Sequence, residues 1–380
     1  MSIRVDFRAE APHFMDHLVP IWRALPPETR GICVVPKRML QHAHGLKVNA
    51  FAYRNDNEAL EILKQRSGYI VTAGFGDFTK AALTGRPQIL CEHGAGQSYS
   101  NRQTSYAGGL GRGRAALFLC PNQQSADRNK QYYPHIPTAV IGCPKLDEWH
   151  RRPLKPRGNP PVVAISFHWN CQIAPEACGS WEYYRDVIPQ LAQDERWQLL
   201  GHAHPRIMNT IRPEYEKLDI PVVERFDEVL EKADLYVVDN SSTLFEFASL
   251  DRPVVVLNAP WYRRWIKHGL RFWDCADVGF QCDRPEDLTE TIARALQDPP
   301  EQKQRRREVM GWVYPVKSGE AAQTAAKAVM RHVKVAPGQV RMIAIVTHHD
   351  GKQMQPKGCV ITVDKDKARL LEKRGLAQRF

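Results

Sequence analysis

Long apolar runs are missing from this 380-residue sequence. A bilayer-spanning helix needs roughly 18 consecutive apolar residues, and one of the most apolar stretches, 253–261, is already interrupted by Asn258. The N-terminal MSIRVDFRAEAPHF has no apolar core of the secretory kind, so neither a membrane-spanning nor a secreted protein is expected. Zinc-binding thiol pairs are missing too. The nine cysteines (Cys33, Cys91, Cys120, Cys143, Cys171, Cys178, Cys275, Cys282 and Cys359) are odd in number and never form C-x-x-C. Several lie in apolar runs such as GICVVP and ALFLCPN, where a thiol acts as a small buried hydrophobe; reduced cysteines and a cytoplasmic location are expected. No H-E-x-x-H, G-x-x-x-x-G-K-[ST] or G-x-S-x-G occurs, which removes the commonest metalloprotease, P-loop and serine-hydrolase patterns. Asp364-Lys365-Asp366 spells D-x-D but reads as surface charge near the C-terminus, so no metal and no cofactor is expected.

What is present is an ordinary globular composition with an excess of positive charge. Hydrophobic residues make up 43% and charged residues 25%, which argues against wholesale disorder. At about 150 residues per domain, the length allows two or three domains. Lysine and arginine total 53 against 42 acidic residues, a net charge of +11 that favours polyanionic partners: nucleic acid, anionic polymers or nucleotide-activated substrates.

Short apolar runs alternate with amphipathic stretches, the signature of βαβ units. Strands are expected at 3–7, 31–35, 48–53, 69–73, 88–91, 115–120 and 139–142, with helices such as 57–66 and 78–83 between them. RRPLKPRGNPP (151–161) carries four prolines and four basic residues and reads as a linker. The pattern then restarts, with strands at 162–167, 197–201, 222–224, 235–238 and 254–257 and helices at 181–193, 209–217, 227–231, 242–249 and 285–297, the last followed by a Pro-Pro stop. After a helix at 319–332 and a break at Ala336-Pro337-Gly338, residues 339–380 read strand, turn at Asp350-Gly351, strand 359–363 and short helix 365–374. This small module resembles β-rich units of bacteriophage proteins. The expected architecture is α/β: two facing doubly wound domains (1–150 and 162–334) with an interdomain cleft, plus the module 339–380.

In 233–260 a buried strand ends in Asp239-Asn240-Ser241-Ser242 and a helix follows at once. Ser241 and Ser242 suit a phosphate held by backbone N–H groups and hydroxyls, and Glu246 one turn on could reach a ribose. Serine before a helix is also the commonest N-cap. The segment resembles the D-Y-S-S-x-x-F-[DE] signature of the CDP-glycerol glycerophosphotransferases, the teichoic acid primases and polymerases of GT-B fold. Gly142-Cys143-Pro144-Lys145-Leu146-Asp147 resembles the family's G-x-P-R-x-D, His204-Pro205 its strand-end H-P, and Glu92-His93-Gly94 its W-H-G. The resemblance spans about 70–330. It implies an acceptor-side first domain with His93 as general base, and a donor domain in which Ser241 and Ser242 hold the diphosphate with His204, Pro205 and Asp239 beside them and Glu246 on the nucleotide sugar. Gly94, Lys145, His168 and Arg206 are candidate substrate contacts. His168 and His202 equally suit structural roles.

Departures from the family pattern are Ala95-Gly96-Gln97-Ser98 after the His-Gly, Ser166-Phe167-His168-Trp169-Asn170 at the first strand end of the second domain, Lys145 for arginine and Asn240 for tyrosine. The expected function is transfer of a sugar or glycerophosphate group from a nucleotide-activated donor to a hydroxyl, without a metal. The acceptor is a polyol-phosphate polymer or a hydroxymethylated base of phage DNA, the latter placing the enzyme in a host cytoplasm. The alternatives are a nucleotide-sugar 2-epimerase on the same fold and a non-catalytic phage protein that binds polyanions. The basic clusters 151–157, 263–271 and 303–307 fit contact with a nucleotide or single strand, or simply a solvated surface.

Overall fold

Runs such as YIVT, QILC, LYVV and VVVL are apolar without alternation, a pattern that suits strands covered on both faces. In the computed structural model they become strands of two parallel sheets. The structure describes residues 3–95, 112–153, 156–172, 175, 178–262, 277–316, 319–334, 339–349, 354–355 and 357–379. Among these, one unit comprises the residues up to 151 together with those from 316 on, and the other those from 152 to 315.

In the first unit, β1 (Val5–Arg8), β2 (Arg30–Pro36), β3 (Ala50–Tyr53), β4 (Tyr69–Thr72), β5 (Gln88–Cys91), β6 (Ala115–Cys120) and β7 (Thr138–Val140) form a parallel sheet in the order 3-2-1-4-5-6-7. The strand order reverses between β1 and β4, so the carboxyl ends there flank the crevice where doubly wound sheets bind ligands. One face of the sheet packs on helices Pro12–Ala24 and Ala321–Val333 through Leu18, Ile21, Ala325 and Val329. The other face carries Phe78, Leu90 and Phe118 in one cluster and Val34, Ala59 and Leu63 in a second.

This helix marks a difference from the sequence reading, which ended the second domain at 334. The buried Asp147 carboxylate accepts the Ala321 and Ala322 N–H groups at 2.9 and 2.8 Å and so caps helix Ala321–Val333 into the first unit. Strands Gln339–Ala344, Val360–Asp364 and Ala377–Arg379 add a small antiparallel sheet, the first in the middle, and helix Lys365–Lys373 packs Ala368 and Leu371 into its core. Arg341 Nη1 donates to Tyr69 Oη at 2.6 Å and ties this sheet to β4. The turn expected at Asp350-Gly351 lies outside the described residues.

In the second unit, β8 (Val162–Phe167), β9 (Gln198–Ala203), β10 (Leu235–Val238), β11 (Val254–Leu257) and β12 (Phe280–Cys282) run parallel in the order 12-11-10-8-9. The three-residue edge strand β12 is too short to show in the sequence, and the strand expected at 222–224 is only a bridge from Val222 to Gly201. The helix expected over 181–193 breaks into Trp181–Tyr184, a tight turn at Arg185–Val187, and Ile188–Ala192. Pro300 opens a further helix, Pro300–Val313, rather than only ending the one before, because proline at the first helical position forfeits no hydrogen bond. In the proline-rich segment, Gly158 and Val162 N–H groups are held by Asp234 at 3.2 and 2.8 Å.

Candidate active site

His93 follows β5 directly, at the carboxyl edge of the first sheet. Its neighbour Glu92 anchors the turn: the carboxylate accepts from Asn129 Nδ2 at 3.0 Å and from Ser125 Oγ, and pairs with Arg112. Gly94 has φ +69°, a conformation that strains any side chain, so the loop turns away directly after the histidine. His93 is exposed, and its Nδ1 lies 2.8 Å from the Ala73 carbonyl. A carbonyl can only accept, so the neutral ring carries its proton on Nδ1 and Nε2 is the basic nitrogen. Phe14 meets the ring edge-on at 4.8 Å, with His13 at 5.9 Å and His17 at 6.4 Å. Burial, then the charges of Lys145, His93 and His13, hold buried His17 well below the usual histidine range, so it stays neutral. Lys145 is thereby within electrostatic reach of this cluster. In the same motif Gly142 has φ +73°, and a Cβ there would come within 2.9 Å of the Val316 side chain.

In the second unit the expected residues gather at the carboxyl ends of three neighbouring strands. His168 follows β8, His204 follows β9, and Asp239 to Ser242 follow β10. Asp239 is fully buried. Its carboxylate accepts the His168 N–H at 2.9 and 3.1 Å, the Ser180 N–H at 2.9 Å and the Ser180 hydroxyl at 3.2 Å. These contacts pin two loops to the end of β10. Gly179 is required beside it, since a Cβ would sit 2.0 Å from the His168 carbonyl oxygen.

His168 and His204 meet edge-to-face at 4.9 Å. His168 Nδ1 donates to the Trp169 carbonyl at 3.0 Å, leaving Nε2 basic. His204 Nδ1 instead accepts the Arg206 N–H at 3.2 Å, which puts the proton of the neutral ring on Nε2 as a donor. Pro205 and Arg206 are exposed in the turn before helix Met208–Glu216, and the Arg206 guanidinium stacks over Trp169 at 4.4 Å.

Ser241 and Ser242 are half-buried, and Ser242, the residue before helix Thr243–Ala248, makes no side-chain cap. The cap reading of Ser242 is therefore not what its hydroxyl does. Asn240, where the family has tyrosine, is buried and donates to the Cys178 carbonyl at 2.9 Å. Glu246 is buried on the same short helix.

The structure also bears on the composition of three stretches. The basic cluster 303–307 is largely neutralised by acids: Arg305 by Asp277, Arg306 by Asp298 and Asp251, and Arg307 by Asp251. Arg306 is buried, whereas the Arg307 side chain stays exposed, so the solvated-face reading holds for part of the cluster only. The aromatic and basic stretch 263–276 lies outside the described residues. The eight described cysteines are free, and burial pushes the Cys91 and Cys120 thiols up to about 12. Sequence reasoning missed Ser180 and Glu92, whose partners are remote in the chain.

Two doubly wound parallel sheets, each with its candidate residues at the carboxyl edge, define a GT-B-like α/β protein. Solved structures agree on the fold. The wall teichoic acid polymerase TagF superposes with a TM-score of 0.63 at 13% identity, covering 87% of this chain and 88% of that one. S. aureus MnaA in its UDP co-structure gives 0.62 at 15%, covering 87% and 96%. UDP-GlcNAc 2-epimerase from Neisseria meningitidis, bound to UDP-GlcNAc, gives 0.57 at 13%, covering 87% and 100%. No curated protein matches the chain in sequence. Residues 188–331 match the family described as CDP-Glycerol:Poly(glycerophosphate) glycerophosphotransferase. Among the described residues no helix is long and apolar enough to cross a membrane.

Proposed function

We propose that this protein is a transferase that moves a sugar or glycerophosphate group from a nucleotide-diphosphate-activated donor to an acceptor hydroxyl. One observation carries the reading: the His204 imidazole, with its proton on Nε2, and the Ser241 and Ser242 hydroxyls gather at the carboxyl ends of β9 and β10, in the part of the chain that matches the family. These groups can meet the charge that builds on a diphosphate or phosphate leaving group. His93 Nε2 takes the proton of the acceptor hydroxyl as its oxygen forms the new bond and the nucleotide departs. Lys145 and Arg206 add positive charge for substrate phosphates. The reaction proceeds in this reading without a resident metal.

The family description favours a poly(glycerophosphate) acceptor. Hydroxymethylated phage DNA has less support, because the 303–307 arginines are already paired with acids. An epimerase would need extra carboxylates near His204 and Ser241, and Asp239 is committed to backbone N–H groups. The test is product analysis by mass spectrometry with CDP-glycerol and UDP-sugars as donors, and glycerophosphate oligomers or hydroxymethylated DNA as acceptors. His93→Gln is expected to lose about 10²–10⁴ in turnover while donor affinity stays within about twofold. Undiminished turnover in that variant contradicts the assignment of the base.

A further inference from the structure

Ser241 Oγ is the last atom of a hydrogen-bonded chain that begins at the buried Tyr236 phenol. Parallel register pairs Ser166 of β8 with His202 of β9 on one side and with Val238 of β10 on the other. Tyr236 lies two residues before Val238, so the alternation of strand side chains puts Ser166, His202 and Tyr236 on one face of the sheet. His202 Nδ1 is 2.8 Å from Ser166 Oγ. Tyr236 Oη is 3.0 Å from Thr243 Oγ1, which donates to Ser241 Oγ at 2.8 Å. The Thr243 N–H donates to the same oxygen at 3.3 Å. Ser166 and Tyr236 are 3% and 0% exposed, and the proposed reaction uses neither.

Each hydroxyl owns one proton, and that fixes the direction of the chain. Thr243 spends its proton on Ser241, so its oxygen accepts from Tyr236. Ser241 Oγ receives two donors, which turns its own proton away from the chain. Burial raises the Tyr236 phenol well above the usual tyrosine range, so it remains an O–H link.

We infer that Tyr236 and Thr243 are positioning residues that commit the Ser241 hydroxyl as a hydrogen-bond donor to the diphosphate of the bound nucleotide. The inference rests on the reading of Ser241 as a diphosphate-holding residue. A proton held in place before the ligand arrives costs no reorganisation on binding, and a hydrogen bond to an anionic oxygen is worth about tenfold or more in affinity.

The experiment is a double-mutant cycle on the full-length protein, titrated calorimetrically with CDP, UDP, GDP and ADP. Tyr236→Phe keeps the ring and removes the link, and Thr243→Val is a second, shape-matched break should the first variant fail to fold. Melting temperatures report the fold of each. With the nucleotide that binds, Tyr236→Phe and Ser241→Ala are each expected to weaken affinity about tenfold. The double variant is expected to be no weaker than Ser241→Ala alone, because both remove the same donor. Wild-type affinity in Tyr236→Phe, or losses that multiply in the double variant, overturns the chain and leaves donor binding standing. Failure of the wild-type protein to bind any of the four nucleotides overturns the donor site itself and the inference with it.

Discussion

Asp239 stands in the most specific part of the sequence signature, yet its carboxylate is fully occupied by the N–H groups of His168 and Ser180 and the Ser180 hydroxyl. Asparagine at this position keeps one acceptor oxygen and turns an amide N–H₂ towards the backbone N–H groups of His168 and Ser180, which can only donate. Leaving such a buried donor unsatisfied costs about 1–3 kcal/mol, so Asp239→Asn is expected to lower stability by about 2 kcal/mol in urea denaturation. It is also expected to weaken nucleotide binding, because the His168 loop loses its anchor. Unchanged stability would show that the loops hold without it. The sequence shows that an Asp-Asn-Ser-Ser turn follows a buried strand. It does not show that the first side chain points back into the scaffold, since Ser180 is 59 residues away. The histidines were legible as strand-end residues. Their different tautomers were not, because each is decided by a backbone group beside the ring.

The elements were legible where strands are buried on both faces. The strands at 88–91, 115–120, 162–167, 235–238 and 254–257 were expected from unbroken apolar runs and stand at those positions. Short edge pieces such as Phe280–Cys282 carry too few residues for a pattern. Helix Ala321–Val333 was visible as a helix, but not its place in the first unit, since Asp147 caps it across more than 170 residues of chain. Within Gly142-Cys143-Pro144-Lys145-Leu146-Asp147, the glycine and the aspartate therefore serve the architecture. Asp147→Ala uncaps two N–H groups and is expected to cost about 1–2 kcal/mol. Hydrogen exchange at Ala321 and Ala322 is expected to speed up with no matching change at β10. Equal protection in both proteins would contradict the capping role.

For the whole molecule, the two doubly wound sheets follow from alternating apolar and amphipathic segments, and the candidate residues of each unit follow from the rule that such sheets bind at their carboxyl ends. The net charge of +11 was legible, but its meaning was not: which cations are buried in internal pairs, as Arg306 is with Asp298, does not show in the sequence, and the identity of the transferred group is not written in charge at all. The family match at 188–331 covers the candidate donor residues His204, Ser241 and Ser242 of the second unit. The most direct measurement is a thermal-shift titration of the full chain with CDP, UDP, GDP and ADP in EDTA, alongside Ser242→Ala. The account expects a saturable rise with one nucleotide, following mass action and abolished in the variant. No rise with any of the four, or an undiminished rise in Ser242→Ala, would contradict it.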